Sequence, residues 1–240
     1  MAIDRRSVLA GLSASALTGL AGCSGTQPGG FSFANSGFQT GNASEKQPDI
    51  VLNADGTPKL EDLMKAGPLG EKSLGQPNAP VTMIKYASLT CPYCRAFHTK
   101  TFPELKRRYI DTGKIRYILR EFPIGHASGA ATVVMRCIGQ NDDRKYFEIY
   151  DLYLTKQHLW VSLEVRKDAI YKIVAPLGIT RKTFDTCFEN QNIVAGLKWV
   201  KQRGRQLGVI GTPTFFINGK KARSVLTIGE IQKMVQPYLS

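Results

Sequence analysis

Between residues 80 and 239 the apolar positions change period in a definite order. Residues 81–86 carry apolar side chains on both alternating faces, as a central strand buried on both sides does. Over 95–109 the period lengthens: Cys94, Phe97, His98, Thr101, Phe102, Leu105 and Tyr109 recur at spacings of three and four and share one helical face. Pro103 should kink that helix. Residues 115–122 read as a second strand, stopped by Pro123. From about 126 to 208 the period is helical throughout, over 127–138, 144–153, 163–175, 180–190 and 193–207. An Asn218-Gly219 turn then separates strands at 214–218 and 221–225, a hairpin signal. Ile228, Ile231, Val235 and Leu239 line a last helix. Strand, helix, strand, a long helical insertion, two antiparallel strands and a helix predict an α/β fold.

Upstream the pattern is different. Arg5-Arg6, a weakly apolar stretch from Val8 to Leu20 and then Leu20-Ala21-Gly22-Cys23 read as an export signal over 1–22. The last four resemble a bacterial lipoprotein signal with Cys23 as the lipidated residue, and Asp4-Arg5-Arg6-Ser7-Val8-Leu9 partly resembles a twin-arginine signal. The competing readings are an ordinary secretory signal and an unlipidated Cys23. Residues 23–49, rich in Gly, Ser, Asn, Gln and Pro, read as a flexible tether. Residues 50–79 form an N-terminal extension, with a short helix at Leu60, Leu63 and Met64 and an edge strand over 72–74.

The chain has 240 residues, 42% of them hydrophobic, which suffices for a core. Its formal net charge is +13, and removing 1–22 takes away Asp4, Arg5 and Arg6, leaving +12. Basic clusters at Lys106-Arg107-Arg108, at 201–205 and at Lys220-Lys221-Arg223 would meet anionic lipid headgroups or acidic proteins, or simply form a solvated surface. Nucleic acid is the weaker partner, since no recognition motif accompanies the charge on an exported chain.

The strongest chemical signal is Cys91-Pro92-Tyr93-Cys94, placed where the first strand feeds a helix. The unpaired amides and positive end of a helix stabilise a thiolate, and the two-residue spacer brings the second sulfur to the first. Half of a zinc site is the competing reading, but it needs two further ligands, and Cys137, Cys187, His98, His126 and His158 are scattered. No metal is expected. His98, one turn after Cys94, is read as packing along its helix in preference to acting as a base. Phe97, Phe102, Tyr146, Phe147, Tyr150 and Tyr153 are read as core in preference to a peptide cleft.

The CPYC motif, together with Gly211-Thr212-Pro213-Thr214-Phe215 before the hairpin, resembles the thioredoxin superfamily, and the helical stretch between them its DsbA-like branch, over about 80–239. The resemblance implies a thioredoxin fold with a helical domain (125–208) inserted between a βαβ half (80–124) and a ββα half (209–240). It makes Cys91 the nucleophile and Cys94 the resolving thiol, with Pro92 and Tyr93 tuning the potential. Tyr93 stands where a His is common among strong oxidants, so a less extreme oxidant is expected. Pro213 would be the cis proline facing the pair, exposing the backbone of Thr212 to substrate. Lys85 stands six positions before Cys91, where related domains carry a buried acid. Either its charge lowers the Cys91 pKa, so that Lys85→Glu raises it, or its stem packs while the amine reaches the surface.

In an oxidising compartment Cys137 and Cys187 remain, and are expected to form a structural disulfide, as a second pair does in some DsbA-like proteins of the alphaproteobacterial kind. Two unrelated buried thiols are the alternative. The expected protein is a monomeric thiol:disulfide oxidoreductase without organic cofactor. It would be periplasmic, lipid-tethered, active on reduced exported proteins and reoxidised by a DsbB-like quinone-linked membrane partner. A disulfide isomerase or reductase and a noncatalytic peptide-binding chaperone are the rivals.

Overall fold

The computed structural model describes residues 49–223 and 225–239, with the side chain of Arg223 left aside; the 1–22 signal, Cys23 and the tether up to residue 48 lie outside them. Five strands form one sheet in the order β1 (Lys72–Leu74), β3 (Ile115–Glu121), β2 (Val81–Ala87), β4 (Thr214–Ile217), β5 (Lys220–Arg223). β2 and β3 run parallel and the other neighbours antiparallel, with Lys85 opposite Leu119 on one side and Phe215 on the other. The two-faced apolar pattern of the central strands has a direct cause. Val81 and Met83 of β2 pack toward one layer of helices, whereas Ile84 and Tyr86 join Ile118, Phe122 and Phe216 on the opposite face.

Among the described residues, nine of the ten α-helices lie between β2 and β4 or close the chain after them. α2 (Pro92–Lys100) and α3 (Phe102–Leu105) are the single helix expected over 95–109, broken at Thr101. Pro103 has no N–H to continue the ladder, and the chain resumes as a π-helical turn over Lys106–Ile110. All seven residues placed on one face of that helix are buried. α4 (His126–Ile138), α5 (Asp143–Thr155), α7 (Lys167–Val174), α8 (Arg181–Phe188) and α9 (Gln191–Gln206) follow the helical period. Side-chain caps from Asp142, Thr180 and Asn190 start α5, α8 and α9. Thr227 and Glu230 form a capping box on α10 (Ile228–Val235). The expected helix over 163–175 starts only at Lys167, and a single turn, α6 (Gln157–Trp160), stands before it.

The helical segment shares its core with the sheet. Phe97 and Phe215 belong to the same buried cluster as Ile170 and Phe184. α9, expected within the insertion, runs onto the second face of the sheet, where a Cβ at Gly204 would lie 2.9 Å from the Tyr86 ring and 3.2 Å from Phe122. A glycine is required by that approach. Lys201 donates to the Pro123 carbonyl at 2.7 Å, fixing the same junction.

The N-terminal extension is fastened to this face. α1 (Leu60–Met64) places Leu63 in the second-face cluster and Asp62 inside the protein. Asp62 accepts from Arg203 at 2.6 Å, from Lys65 at 2.7 Å and from the Val51 amide at 2.7 Å. Removing one partner of a buried pair strands the other charge. Asp62→Ala is therefore expected to lower the unfolding free energy by about 3 kcal/mol in urea titrations and to make residues 49–66 the first cut by protease.

Cys137 on α4 and Cys187 on α8 are joined by a disulfide, with Cα atoms 5.4 Å apart and a sequence separation of 50. By chain-entropy reasoning a loop of that length stabilises by about 4 kcal/mol. Changing both residues to Ala is expected to lower stability by about that much in chemical denaturation.

Candidate active site

β2 ends at Ala87, and the three residues that follow are held from two sides. The Ser88 hydroxyl meets that of Ser128 at 2.8 Å and accepts the Ile124 amide at 3.1 Å, while Thr90 donates to the Ile124 carbonyl at 3.1 Å. From the helical segment, Gln157 Nε2 donates to the carbonyls of Leu89 at 2.6 Å and Cys91 at 3.1 Å. The loop that delivers Cys91 is thus pinned before the helix begins.

Cys91 is itself the N-cap of α2. Its backbone is extended (φ −77°, ψ 120°), its sulfur accepts the Cys94 amide at 3.4 Å, and Pro92 occupies the first helical position, where no donor is needed. Cys91 is half-buried and Cys94 fully buried. Across from them the Thr212-Pro213 bond is cis, and the Cys91 thiol donates to the Thr212 carbonyl at 3.2 Å. Tyr93, Ile210, Thr212, Pro213 and Val225 line a concavity of about 530 Å³ beside the sulfur, with Tyr93 65% and Ile210 77% exposed.

The two sulfurs are electrostatically unlike. A hydrogen bond from the Cys94 thiol, aided by the Thr212 hydroxyl and the amides of Cys94 and Tyr93, outweighs burial and lowers the Cys91 pKa to about 5. That hydroxyl has no partner among the described residues while Cys91 is a thiol donating to the Thr212 carbonyl, so it is free to turn to the thiolate. Burial pushes Cys94 well above the ordinary thiol value, the bond to Cys91 adds to this, and the charge of Lys85 opposes both. An exposed nucleophile above a buried, protonated partner can open a disulfide and then be released by that partner.

Lys85 does not reach the surface. It is fully buried, with Nζ 3.2 Å from the Tyr150 hydroxyl and 4.4 Å from the centre of the Phe97 ring. The reading in which its amine escapes to water is thereby corrected: strand alternation points Lys85 into the layer between the sheet, α2 and α5, where its amine ends against Phe97 and Tyr150. Burial lowers its pKa to about 8, against the opposing pull of Cys94 and then Cys91. Its charge bears chiefly on Cys94, whereas hydrogen bonds hold the Cys91 thiolate. Lys85→Glu is accordingly expected to move Cys94 more than Cys91.

His98 packs as expected of a core residue, stacked on Phe102 with centroids 5.1 Å apart, its Nε2 2.9 Å from Asp151. Burial lowers its pKa. Tyr146, Tyr150 and Tyr153 are buried and Phe147 packs against them, so these rings build core. Gln157 and Ser128 were not singled out in the sequence. A buried polar side chain bonded to backbone carbonyls leaves no motif, and the one-turn α6 is too short to show a period.

Residues 69–237 match the model of a family described as Thioredoxin. A Rickettsia conorii protein, provisionally named a protein-disulfide oxidoreductase, is 31% identical over 182 residues, 74% of this chain and 61% of that one. This chain thus spans about three fifths of the relative's length. The crystal structure of Wolbachia pipientis alpha-DsbA1 is 26% identical with a TM-score of 0.67, covering 74% of this chain and 94% of that one. Oxidised BdbD from Bacillus subtilis, at 18% identity and a TM-score of 0.66 over 80% of this chain and 99% of that one, shares the fold. The chain belongs to the thioredoxin family and is DsbA-like within it.

Among the described residues no helix is long and apolar enough to cross a membrane.

Proposed function

We propose that this protein is an exported thiol:disulfide oxidoreductase that gives its Cys91–Cys94 disulfide to reduced proteins. A client thiolate attacks Cys91 Sγ, the Cys91–Cys94 bond breaks, and Cys94 leaves with the electron pair. A second client thiolate attacks the client sulfur of the mixed disulfide and expels Cys91 as a thiolate. The client loses two electrons and two protons; the enzyme becomes a dithiol. Pro213 and the Thr212 backbone hold the client beside the pair, and Pro92 and Tyr93 set the potential.

The observation that carries this reading is the contrast between the two sulfurs: a half-exposed Cys91 whose pKa is lowered to about 5 over a buried Cys94 whose pKa is raised. Stabilising the Cys91 thiolate stabilises the reduced protein and so makes the disulfide a stronger oxidant. In keeping with it, residues 1–22 are an export signal, Cys23 carries lipid, and 23–49 tether a monomeric periplasmic domain to a membrane. Its halves, 80–124 and 209–240, enclose the helical stretch 125–208. Reoxidation falls to a DsbB-like quinone-linked membrane partner, without organic cofactor in the chain itself.

The test is the equilibrium reduction potential of the pair against glutathione. A value toward the oxidising end of the superfamily, about −120 mV, supports a disulfide donor. One near about −270 mV makes the protein a reductase and reverses the direction.

A further inference from the structure

A second concavity, of about 860 Å³, opens in the helical segment between α6, α7 and the start of α8. Five cations line it, Lys156, Arg166, Lys167, Lys172 and Arg181, against one carboxylate, Asp168. That carboxylate is taken by Arg181 at 2.6 Å, and Lys167 is paired outside the lining with Asp185 at 2.9 Å. Lys156 and Lys172 make no ion pair among the described residues, and Arg166 donates only its Nε, to the Ser162 hydroxyl at 3.1 Å. Like charges in one hollow repel, and low-dielectric walls focus their field outward onto whatever enters.

The groove is joined to the reactive sulfur by α6. Leu159, 53% exposed, lies on the groove, two residues after Gln157, whose amide holds the Cys91 carbonyl. One four-residue helix thus contributes both to this cationic hollow and to the support of the loop that carries Cys91. We propose that the groove binds an acidic stretch of the client polypeptide, so that the enzyme prefers cysteines with Asp or Glu nearby in the same chain. The proposal rests on the oxidoreductase reading and names its substrate class. A polypeptide is the occupant because the cations line a hollow that a chain can fill with side chains, whereas a bilayer presents a broad flat surface.

The experiment compares oxidation of two dithiol peptides, one with an acidic stretch beside its cysteines and one with Gln and Asn in those positions. The wild type is expected to show a kcat/KM about tenfold higher for the acidic peptide at low ionic strength, a ratio that falls as salt is added. In the Lys156→Gln, Arg166→Gln, Lys172→Gln triple variant the ratio should collapse to near one. In Arg166→Glu, Lys172→Glu it should invert toward a Lys-containing peptide. Equal wild-type rates overturn the groove while leaving the redox reading intact. If neither peptide is oxidised, the redox reading fails; binding of both labelled peptides to Cys91→Ala, followed by fluorescence anisotropy, then decides the groove, equal affinities overturning it. Loss of phosphatidylglycerol vesicle binding in the triple variant, with the peptide ratio unchanged, also overturns the proposal and makes the groove a lipid contact.

Discussion

Replacing Cys91 by alanine is expected to abolish thiol–disulfide exchange, and alkylation of Cys91 in the reduced wild type is expected to titrate with a midpoint near pH 5. Both follow from one arrangement. The sulfur caps α2, accepts the Cys94 amide and accepts a hydrogen bond from the Cys94 thiol, so its charge is stabilised by donors that stand in place before the reaction. Cys94 has no such surroundings and should resist alkylation up to about pH 9, the ordinary range of a thiol. A mass-spectrometric alkylation series in which both cysteines react with a midpoint near pH 8.5 would falsify the assignment.

The same shift ties stability to redox state. The folded pKa of Cys91 is depressed, so its stabilisation of the reduced protein is fully present above the unfolded thiol value near 9 and is lost as pH falls through about 5. Each pH unit in that window is worth up to about 1.4 kcal/mol, and less for a sulfur partly open to water. The oxidised protein has no such dependence on this pair. The gap between the melting temperatures of the reduced and oxidised forms should therefore widen from pH 5 to pH 8 in favour of the reduced form.

Much of this site was legible in the sequence, because its parts carry strong local signals. A CxxC at a strand-to-helix junction has one physical use for its placement, and Pro103, Pro123 and Asn218-Gly219 mark breaks by removing donors or supplying a turn. What escaped were features set by what a side chain meets across the fold. Periodicity gave α9 an apolar face but could not say that this face covers the second side of the sheet, where Gly204 admits Tyr86 and Phe122. It left two fates open for Lys85. Nor could it foresee that Glu121, one residue before Phe122, is buried against Arg136 and the Tyr146 hydroxyl, a pairing that joins the end of β3 to α4 and α5.

Lys85→Met is expected to make the protein more stable and a slower oxidant at once. The buried amine has a folded pKa of about 8, below its unfolded value near 10.5, so the fold disfavours its charge. That cost is fully present below pH 8 and is relieved between pH 8 and 10.5, over which wild-type stability should rise. At neutral pH it is on the order of 3 kcal/mol, which a methionine of similar length among Phe97, Tyr150 and the β2–β3 core avoids. Activity moves the other way. When a client opens the disulfide, Cys94 must leave as a thiolate inside the protein, and the charges near it are few. Cys91 is bound to the client, His98 is kept neutral by burial and by Lys85 itself, and the hydroxyls of Tyr150 and Tyr117 are held protonated by burial. The Lys85 ammonium is the cation that opposes the rise in the Cys94 pKa. Without it the leaving group worsens, and the rate of client oxidation at pH 7 should fall on the order of tenfold. The wild-type rate, corrected for client thiolate, should also decline above pH 8 as the amine loses its proton, while the Met variant stays flat. A purely structural lysine predicts neither the opposed changes nor the lost pH dependence, so stopped-flow oxidation and urea titration across pH 6–10 decide between the two.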